Sequence, residues 1–270
     1  MLEVLLTGLI MVVPFVPSCV QVGDRQIQSA LRQLEELVGP KTAKGWKRKD
    51  YEELRRLRDL FAVKGDAAAD ILLAKLESLN EEGRKCELPD DLFLAGHVTA
   101  GESPKAAMDA IASLPPCYGR AMESSHLRGT IAQVLADMYE NVSPPNERRI
   151  LRTLIASYVS FDDFIQHSNQ LDFALFRIGP PVVPYMLAAA SQGSTNLRCL
   201  QSSNLDILAA EFLGGPSSSV AKPPKLASVC RASAQDRETT IGEWRRWWEQ
   251  TGQKLSFPKV PSLIDEIPKN

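Results

Sequence analysis

Apolar residues recur at three- and four-residue steps along most of this chain, and no stretch carries a sustained strand-like alternation. Leu171, Ala174, Leu175 and Ile178 make one apolar stripe, and Val182, Val183, Met186 and Leu187 make a second. Between them Gly179 can stop a helix, and Pro180 or Pro181 can start the next in its first turn. Neither helix buries its stripe alone, so each predicts a neighbour. The same reading places a helix over Gln26–Leu37, with Ile27, Leu31, Leu34 and Leu37 inward, ended by Gly39-Pro40. Another begins at Asp50, a candidate N-cap with Glu53 as its capping-box partner, and buries Tyr51, Leu54, Leu57, Leu60 and Phe61. Lys64-Gly65-Asp66 then makes a corner, with Asp66 as the cap of a helix carrying Ile71, Leu72, Leu76 and Leu79. Phe61–Leu79 is thus a second helix–corner–helix unit, with Gly65 in the place of Gly179.

The middle of the chain continues the pattern. Glu81–Pro104 is a polar connector, with a short helix placed at Asp90–Leu94, and Ser103-Pro104 opens a helix through Leu114 that Pro115-Pro116 closes. Ser125 is a candidate cap for a helix with Leu127, Ile131, Val134, Leu135 and Met138 inward. Pro144-Pro145 separates it from Glu147–Tyr158, whose face is Ile150, Leu151, Leu154 and Ile155. Ser160 caps a segment holding Phe161, Phe164 and Ile165, which leads to the Leu171 helix. Asn204–Leu213 is a further short helix, and Gly214–Pro224 reads as a loop. Asp236–Leu255 holds Ile241, Trp244, Trp247 and Trp248. Trp244 and Trp248 are four residues apart and share a face, a suitable lid for an apolar end. Ser256–Asn270 carries three prolines and reads as an extended tail.

Two of these stretches resemble a known family. A helix ending in Ile178-Gly179, followed by the Pro-led Val183-Pro184-Tyr185-Met186-Leu187-Ala188-Ala189-Ala190, is similar to the inner turn of a HEAT-type repeat. The Trp244–Gln250 stretch resembles the last helix of many bacterial HEAT-repeat proteins, with only part of that pattern present. The resemblance implies an all-α fold, a right-handed helical-repeat solenoid of roughly four to five HEAT-like (armadillo-like) helix pairs over residues 20–255. It also implies a non-catalytic protein-binding scaffold that uses the surface of the superhelix. HEAT-like repeats also occur in phycobilin lyases, which implies the alternative of an enzyme, or an accessory subunit of one, binding a small molecule. A structural component of a cell-envelope assembly is the third reading.

Charge and motif content narrow the chemistry. With 31 basic against 33 acidic residues the formal net charge is -2, which lacks the basic footprint of a general nucleic-acid binder. The basic loop Lys41–Lys49, with Trp46 inside it, could meet phosphate, but reads more simply as a linker whose Trp packs back on the helices. His97, His126 and His167 fall in separate segments without HExxH, and G-x-G-x-x-G, P-loop and G-x-S-x-G patterns are missing. No catalytic residue, metal ligand or cofactor is therefore assigned, and whether the chain is an enzyme stays open, with the balance against. Arg55, Arg56, Arg58, Arg148 and Arg149 lie beside otherwise apolar helix faces and are the candidate contacts for a protein partner. Each is equally readable as a solvated surface charge.

Residues 1–19 stand apart. Leu5–Val16 is apolar but shorter than a membrane span, and fits the core of a secretory leader even though Glu3 stands where a basic residue is usual. A first helix of the fold and a membrane anchor are the other readings. Val16-Pro17-Ser18-Cys19 resembles a bacterial lipoprotein box, which implies lipidation at Cys19, an exported protein of the periplasm or cell envelope, and membrane anchorage through the N-terminus. A cytoplasmic location is the alternative. Cys86 and Cys117 are separated by the same interval as Cys199 and Cys230, which fits one disulfide in each pair, and equally fits four buried thiols.

Overall fold

The computed structural model describes residues 19–39, 46–84, 117–158, 168–193, 195–213 and 232–255, with single positions at 223, 225, 226, 229, 257, 260 and 264. Among these residues every regular element is helical, so the chain is all-α as the periodicity predicts. The main helices are α1 (Cys19–Val38), α2 (Arg48–Lys64), α3 (Asp66–Arg84), α4 (Cys117–Met138), α5 (Pro144–Ile155), α6 (Ser168–Ile178), α7 (Val183–Gln192), α8 (Thr195–Ile207) and α9 (Ala234–Gln250). The expected helices at Asp90–Leu94, Ser103–Leu114 and after Ser160 lie outside the described residues, as does most of the Gly214–Pro224 loop.

The apolar faces are placed as their spacing requires. Ile27, Leu31, Leu34 and Leu37 of α1 are buried, with Leu54, Leu57 and Phe61 of α2 and Leu72, Leu76 and Leu79 of α3. Ile131, Val134, Leu135 and Met138 of α4 join Ile150, Leu151, Leu154 and Ile155 of α5. Leu171, Ala174 and Leu175 of α6 and Val182, Val183, Met186 and Leu187 around α7 complete one continuous core. Burying a side chain of this size contributes about 1.5–3 kcal/mol, and the total is set against the entropy of ordering the chain.

Three caps and one helix boundary differ from expectation. Lys47, and not Asp50, is the N-cap of α2; the Asp50 carboxylate accepts the Lys47 backbone N–H at 2.8 Å, while Glu53 turns to Arg56. Asp66 is the first residue of α3, and its carboxylate reaches across to another helix instead of capping its own. Ser125 lies inside α4, buried, because that helix starts at Cys117. The helix expected from Asn204 begins at Thr195, and Leu208–Leu213 continues it as a π-turn. Among the described N-caps, that of α9 is made by a side chain: Ser233 Oγ accepts the Asp236 N–H at 3.1 Å.

Alternate helices pack in two series, which meet where α3 packs on α4. α2 packs on α4 and α4 on α6, while α3 packs on α5, α5 on α7 and α7 on α9. α1 covers α2, α3 and α4, and α8 lies along α7. Within α9, Trp244 is fully buried, edge-on to Trp247 at 5.0 Å and stacked on Trp248 at 6.4 Å, so the aromatic cluster covers the end of the core beside α7. At the other end Trp46 is half-buried, packs on the core, and lies 5.2 Å from Tyr51, as the packed-back reading predicts. The described residues of the tail are not loose: Val260 and Ile264 are buried, and Phe257 packs on the core.

Two corners carry the same backbone. Gly65 has φ 54° and ψ -129°, and Gly179 has φ 86° and ψ -145°. In each, the glycine N–H closes the preceding helix, on Phe61 O at 3.2 Å and on Leu175 O at 3.3 Å. Its carbonyl then receives the first N–H groups of the next, from Ala68 at 3.1 Å and from Val182 at 3.1 Å. The chain turns by 108° at Gly179. A side chain at positive φ is strained whatever the space, and at Gly179 the space itself is adequate, with Phe257 3.6 Å from where a Cβ would sit. Gly65→Ala and Gly179→Ala are each expected to cost about 1–3 kcal/mol in urea unfolding. Gly242→Ala, inside α9 with open space around it, is expected to be neutral or to stabilise by up to about 1 kcal/mol. Equal effects at all three sites would show that the corners do not need glycine.

Candidate functional site

Polar chemistry in this molecule is concentrated where one helix crosses to the next. Four junctions stand out. The first joins α3 to α5 on their exposed side. Arg149 holds Glu77 with both ends of its guanidinium, at 3.0 and 2.7 Å, and reaches Asp70 at 3.2 Å. Thr153 Oγ1 donates to the same Glu77 at 3.2 Å. Arg149 thereby holds the Glu77 carboxyl below its ordinary range, and Glu77 holds the guanidinium above its own. The second junction is the start of the same two helices. Asp66 accepts from the Ser143 N–H at 2.9 Å, the Asn146 amide at 2.9 Å and the Ser143 hydroxyl at 3.0 Å, which lowers its affinity for a proton. Deeper in the same seam, the Asn80 amide donates to Ser157 Oγ at 3.0 Å, and Ser157 donates to Thr153 O at 2.7 Å.

The third junction ties α2, α4 and α6. Asp137 of α4, only 6% exposed, lies between Arg58 of α2 at 3.6 Å and Arg177 of α6. The fourth gathers the end of α5 with α6 and α8. Tyr158 donates its hydroxyl to Asp172 Oδ1 at 2.5 Å, and the Asn204 amide donates to the same oxygen at 2.6 Å and lies 3.3 Å from the tyrosine oxygen. Asp172 as a residue keeps some exposure, but its carboxyl is removed from water, and desolvation outweighs the two hydrogen bonds that favour the charged form. The carboxyl is pushed up to about 6. On the same helix as Asn204, Gln201 and Ser202 are buried, with no side-chain hydrogen bond among the described residues.

The five candidate arginines do not form one surface. Arg55 donates to Ile264 O at 3.2 Å, Arg56 pairs with Glu53 and donates to Gln33 of α1, and Arg58 takes part in the Asp137 junction. Arg149 is held by Glu77 and Asp70, whereas its neighbour Arg148 is exposed on α5. Arg58 is correspondingly far less exposed than a water-facing residue, with 16% of its side chain accessible. Cys199 is buried in α8; Cys86 and Cys230, and the side chains of Cys19 and Cys117, lie outside the described residues, as do His97 and His167. Among the described residues no group of three or more His, Cys, Asp or Glu side chains gathers, and no single helix is long and apolar enough to cross a membrane.

Asp172, Tyr158, Asn204, Asp137 and Arg177 were not picked out by sequence reasoning. One signal was available for Asp172. It interrupts a helix in which Leu171, Phe173, Ala174, Leu175, Phe176 and Ile178 leave little room for a solvated charge. Comparison of the chain with family models, with curated proteins and with solved structures finds no match in any of the three.

A carboxyl held above its ordinary value binds its proton more tightly folded than unfolded. Stability from Asp172 is therefore greatest below about pH 4, falls as pH rises to about 6, and is level beyond. The interval from 3.8 to about 6 corresponds to roughly 3 kcal/mol. Asp172→Asn keeps the accepting oxygen and removes the charge. Its urea-unfolding free energy is expected to match the native chain near pH 4 and to exceed it by about 1–3 kcal/mol at pH 7. Coincident curves at both pH values would remove the carboxyl from the pH dependence.

Proposed function

We propose that this chain is a non-catalytic protein-binding scaffold, folded as a right-handed HEAT-like superhelix. What supports the reading is the equivalence of the two glycine corners, together with the two series α2–α4–α6 and α3–α5–α7. Helix pairs that turn alike and stack side by side generate long faces, and such faces are suited to a protein partner. Trp244 and Trp248 close one apolar end, a structural part rather than a contact.

Arg55, Arg56, Arg58, Arg148 and Arg149 remain the proposed contacts, but they are not equal as probes. Reversing Arg58 or Arg149 also breaks an ion pair between helices. Arg148 is exposed, so Arg148→Glu tests the surface alone. A protein captured by the native chain from its own cell extract is expected to be retained at least about tenfold less by Arg148→Glu, with the helical circular dichroism unchanged. Undiminished retention would remove Arg148 from the interface. Saturable turnover of a small molecule by the purified chain would defeat the non-catalytic reading outright.

The protein acts, on this proposal, outside the cytoplasm. The support is the apolar run Leu5–Val16 and Cys19 three residues beyond it, at the position where α1 begins. Intact mass of the protein from the cell envelope is expected to correspond to a chain starting at Cys19 and carrying a diacyl or triacyl group. A soluble species starting at Met1 would end this part of the proposal.

A further inference from the structure

Helix α8 carries buried polar groups that the fold leaves without partners. Gln201 and Ser202 are 0% and 1% exposed. Among the described residues neither amide atom of Gln201, nor the Ser202 hydroxyl, meets a hydrogen-bond partner. Each such group has given up its water and received nothing in exchange, which weighs against the packed position of α8 by about fivefold or more. Few helices hold α8 in place. Among the described residues it packs chiefly along α7, whereas α4 packs on α1, α2, α3, α5 and α6. Its regular ladder also stops at Ile207, where Leu208–Leu213 continues as a π-turn.

One polar contact of α8 is well made. Asn204, three residues beyond Gln201 and so on a neighbouring part of the helix surface, donates to Asp172 Oδ1 of α6 at 2.6 Å. Tyr158, after α5, donates to the same oxygen. A single carboxyl thus ties α8 to two other parts of the fold. Among the described residues it has no ion-pair partner, and the charged groups on the elements around it are engaged elsewhere. On α4, Asp137 lies between Arg58 and Arg177, Arg128 donates to Ser124, and His126 is partly exposed. On α5, Arg149 is held by Glu77, Glu147 acts on Tyr139, and Arg148 and Arg152 are exposed. On α8 itself, Arg198 donates to the Gly193 carbonyl and Asp206 accepts the Leu226 N–H. Burial and the two hydrogen bonds therefore set the charge state of Asp172.

We propose that α8 is a releasable element of the fold, locked against α6 by the Tyr158–Asp172–Asn204 junction while Asp172 holds its proton. Loss of the proton leaves a desolvated charge at the junction. Movement of α8 away from α6 lets water reach that charge together with Gln201 and Ser202. The closed junction holds the proton above the ordinary carboxyl range, so the lock is strongest in acid and weakens as pH rises through about 6. Arg148 does not belong to α8, so this device stands apart from the scaffold reading and neither result decides the other.

The test is hydrogen exchange on the full chain. It is read as protection, the ratio of intrinsic to observed rate, which removes the direct effect of pH on exchange chemistry. Leu205 of α8 and Leu135 of α4 are both fully buried. At pH 7 the Leu205 amide is expected to be at least about tenfold less protected than that of Leu135, through local release of α8. Its protection is expected to fall about tenfold between pH 5 and pH 7. In Asp172→Asn, which keeps the accepting oxygen, that fall is expected to vanish. Gln201→Leu replaces the unpartnered amide by apolar atoms of similar bulk. It is expected to raise Leu205 protection at pH 7 at least about fivefold and to keep the pH dependence. Equal protection of Leu205 and Leu135 in the native chain would show that α8 leaves only on global unfolding, and would overturn the proposal. A native Leu205 protection that is level from pH 5 to pH 7, or a fall that survives in Asp172→Asn, would do the same. Unchanged or lower protection in Gln201→Leu would show that Gln201 does not strain the packed helix, and would also overturn it.

Discussion

A carboxylate withdrawn from water between two guanidinium groups, Asp137 between Arg58 and Arg177, determines how α2, α4 and α6 lie on one another. Apolar contacts alone would allow those helices to slide by a turn at modest cost, because Leu, Val and Ile stripes are self-similar. A desolvated charge has no such freedom. Removing one partner of a buried ion pair costs about 3–5 kcal/mol, so a shifted register that separates the groups is strongly disfavoured. The same cluster reaches further, since Arg177 also donates to the Val260 carbonyl. One charge on α4 thus aligns three helices and, through Arg177, holds the backbone at Val260.

The other series is held differently. Between α3 and α5 the polar contacts sit at successive depths: Asp66 with Ser143 and Asn146 at the helix starts, Glu77 with Arg149 and Thr153 midway, Asn80 with Ser157 at the far end. Asp66, Ser143, Glu77 and Arg149 keep some water, so their pairs contribute modestly to stability, whereas Asn80 and Ser157 are buried. Their value is geometric, because three separated contacts along two helices fix both the register and the crossing. A buried charge at one junction and a partly solvated ladder at the other are two solutions to the same problem.

The local pattern of this fold was legible in the sequence because burial follows a period of 3.6 residues, and that period needs no knowledge of partners. The stripes of α1, α2, α5 and α6, the Gly65 and Gly179 corners and the Trp244–Trp248 face could all be read this way. The caps could not. Asp66 has the right chemistry and position to cap α3, but Ser143 and Asn146, far along the chain, compete for its carboxylate and win. Glu53 likewise prefers a charged neighbour, Arg56, to a backbone N–H. The junctions were invisible for the same reason. Tyr158, Asp172 and Asn204 are separated in sequence by other residues of ordinary type, and only the packing of α6 against its neighbours turns them into one hydrogen-bonded group.

The arginines show how finely helical phase divides roles. Arg148 and Arg149 are adjacent, and a helix rotates about 100° between them, enough to turn one guanidinium into the α3 seam and leave the other in solvent. Arg55, Arg56 and Arg58 repeat the division on α2: Arg58 turns toward α4, Arg56 toward α1, and Arg55 toward the carbonyl of Ile264. A count of basic residues on a helix therefore overstates what a partner can meet. The charge available at a surface is set by which side chains the neighbouring helices have already claimed. In this chain the claims on Arg58 and Arg149 follow the same two helix series that build the fold, so the packing and the surface charge left open are determined in part by one set of contacts.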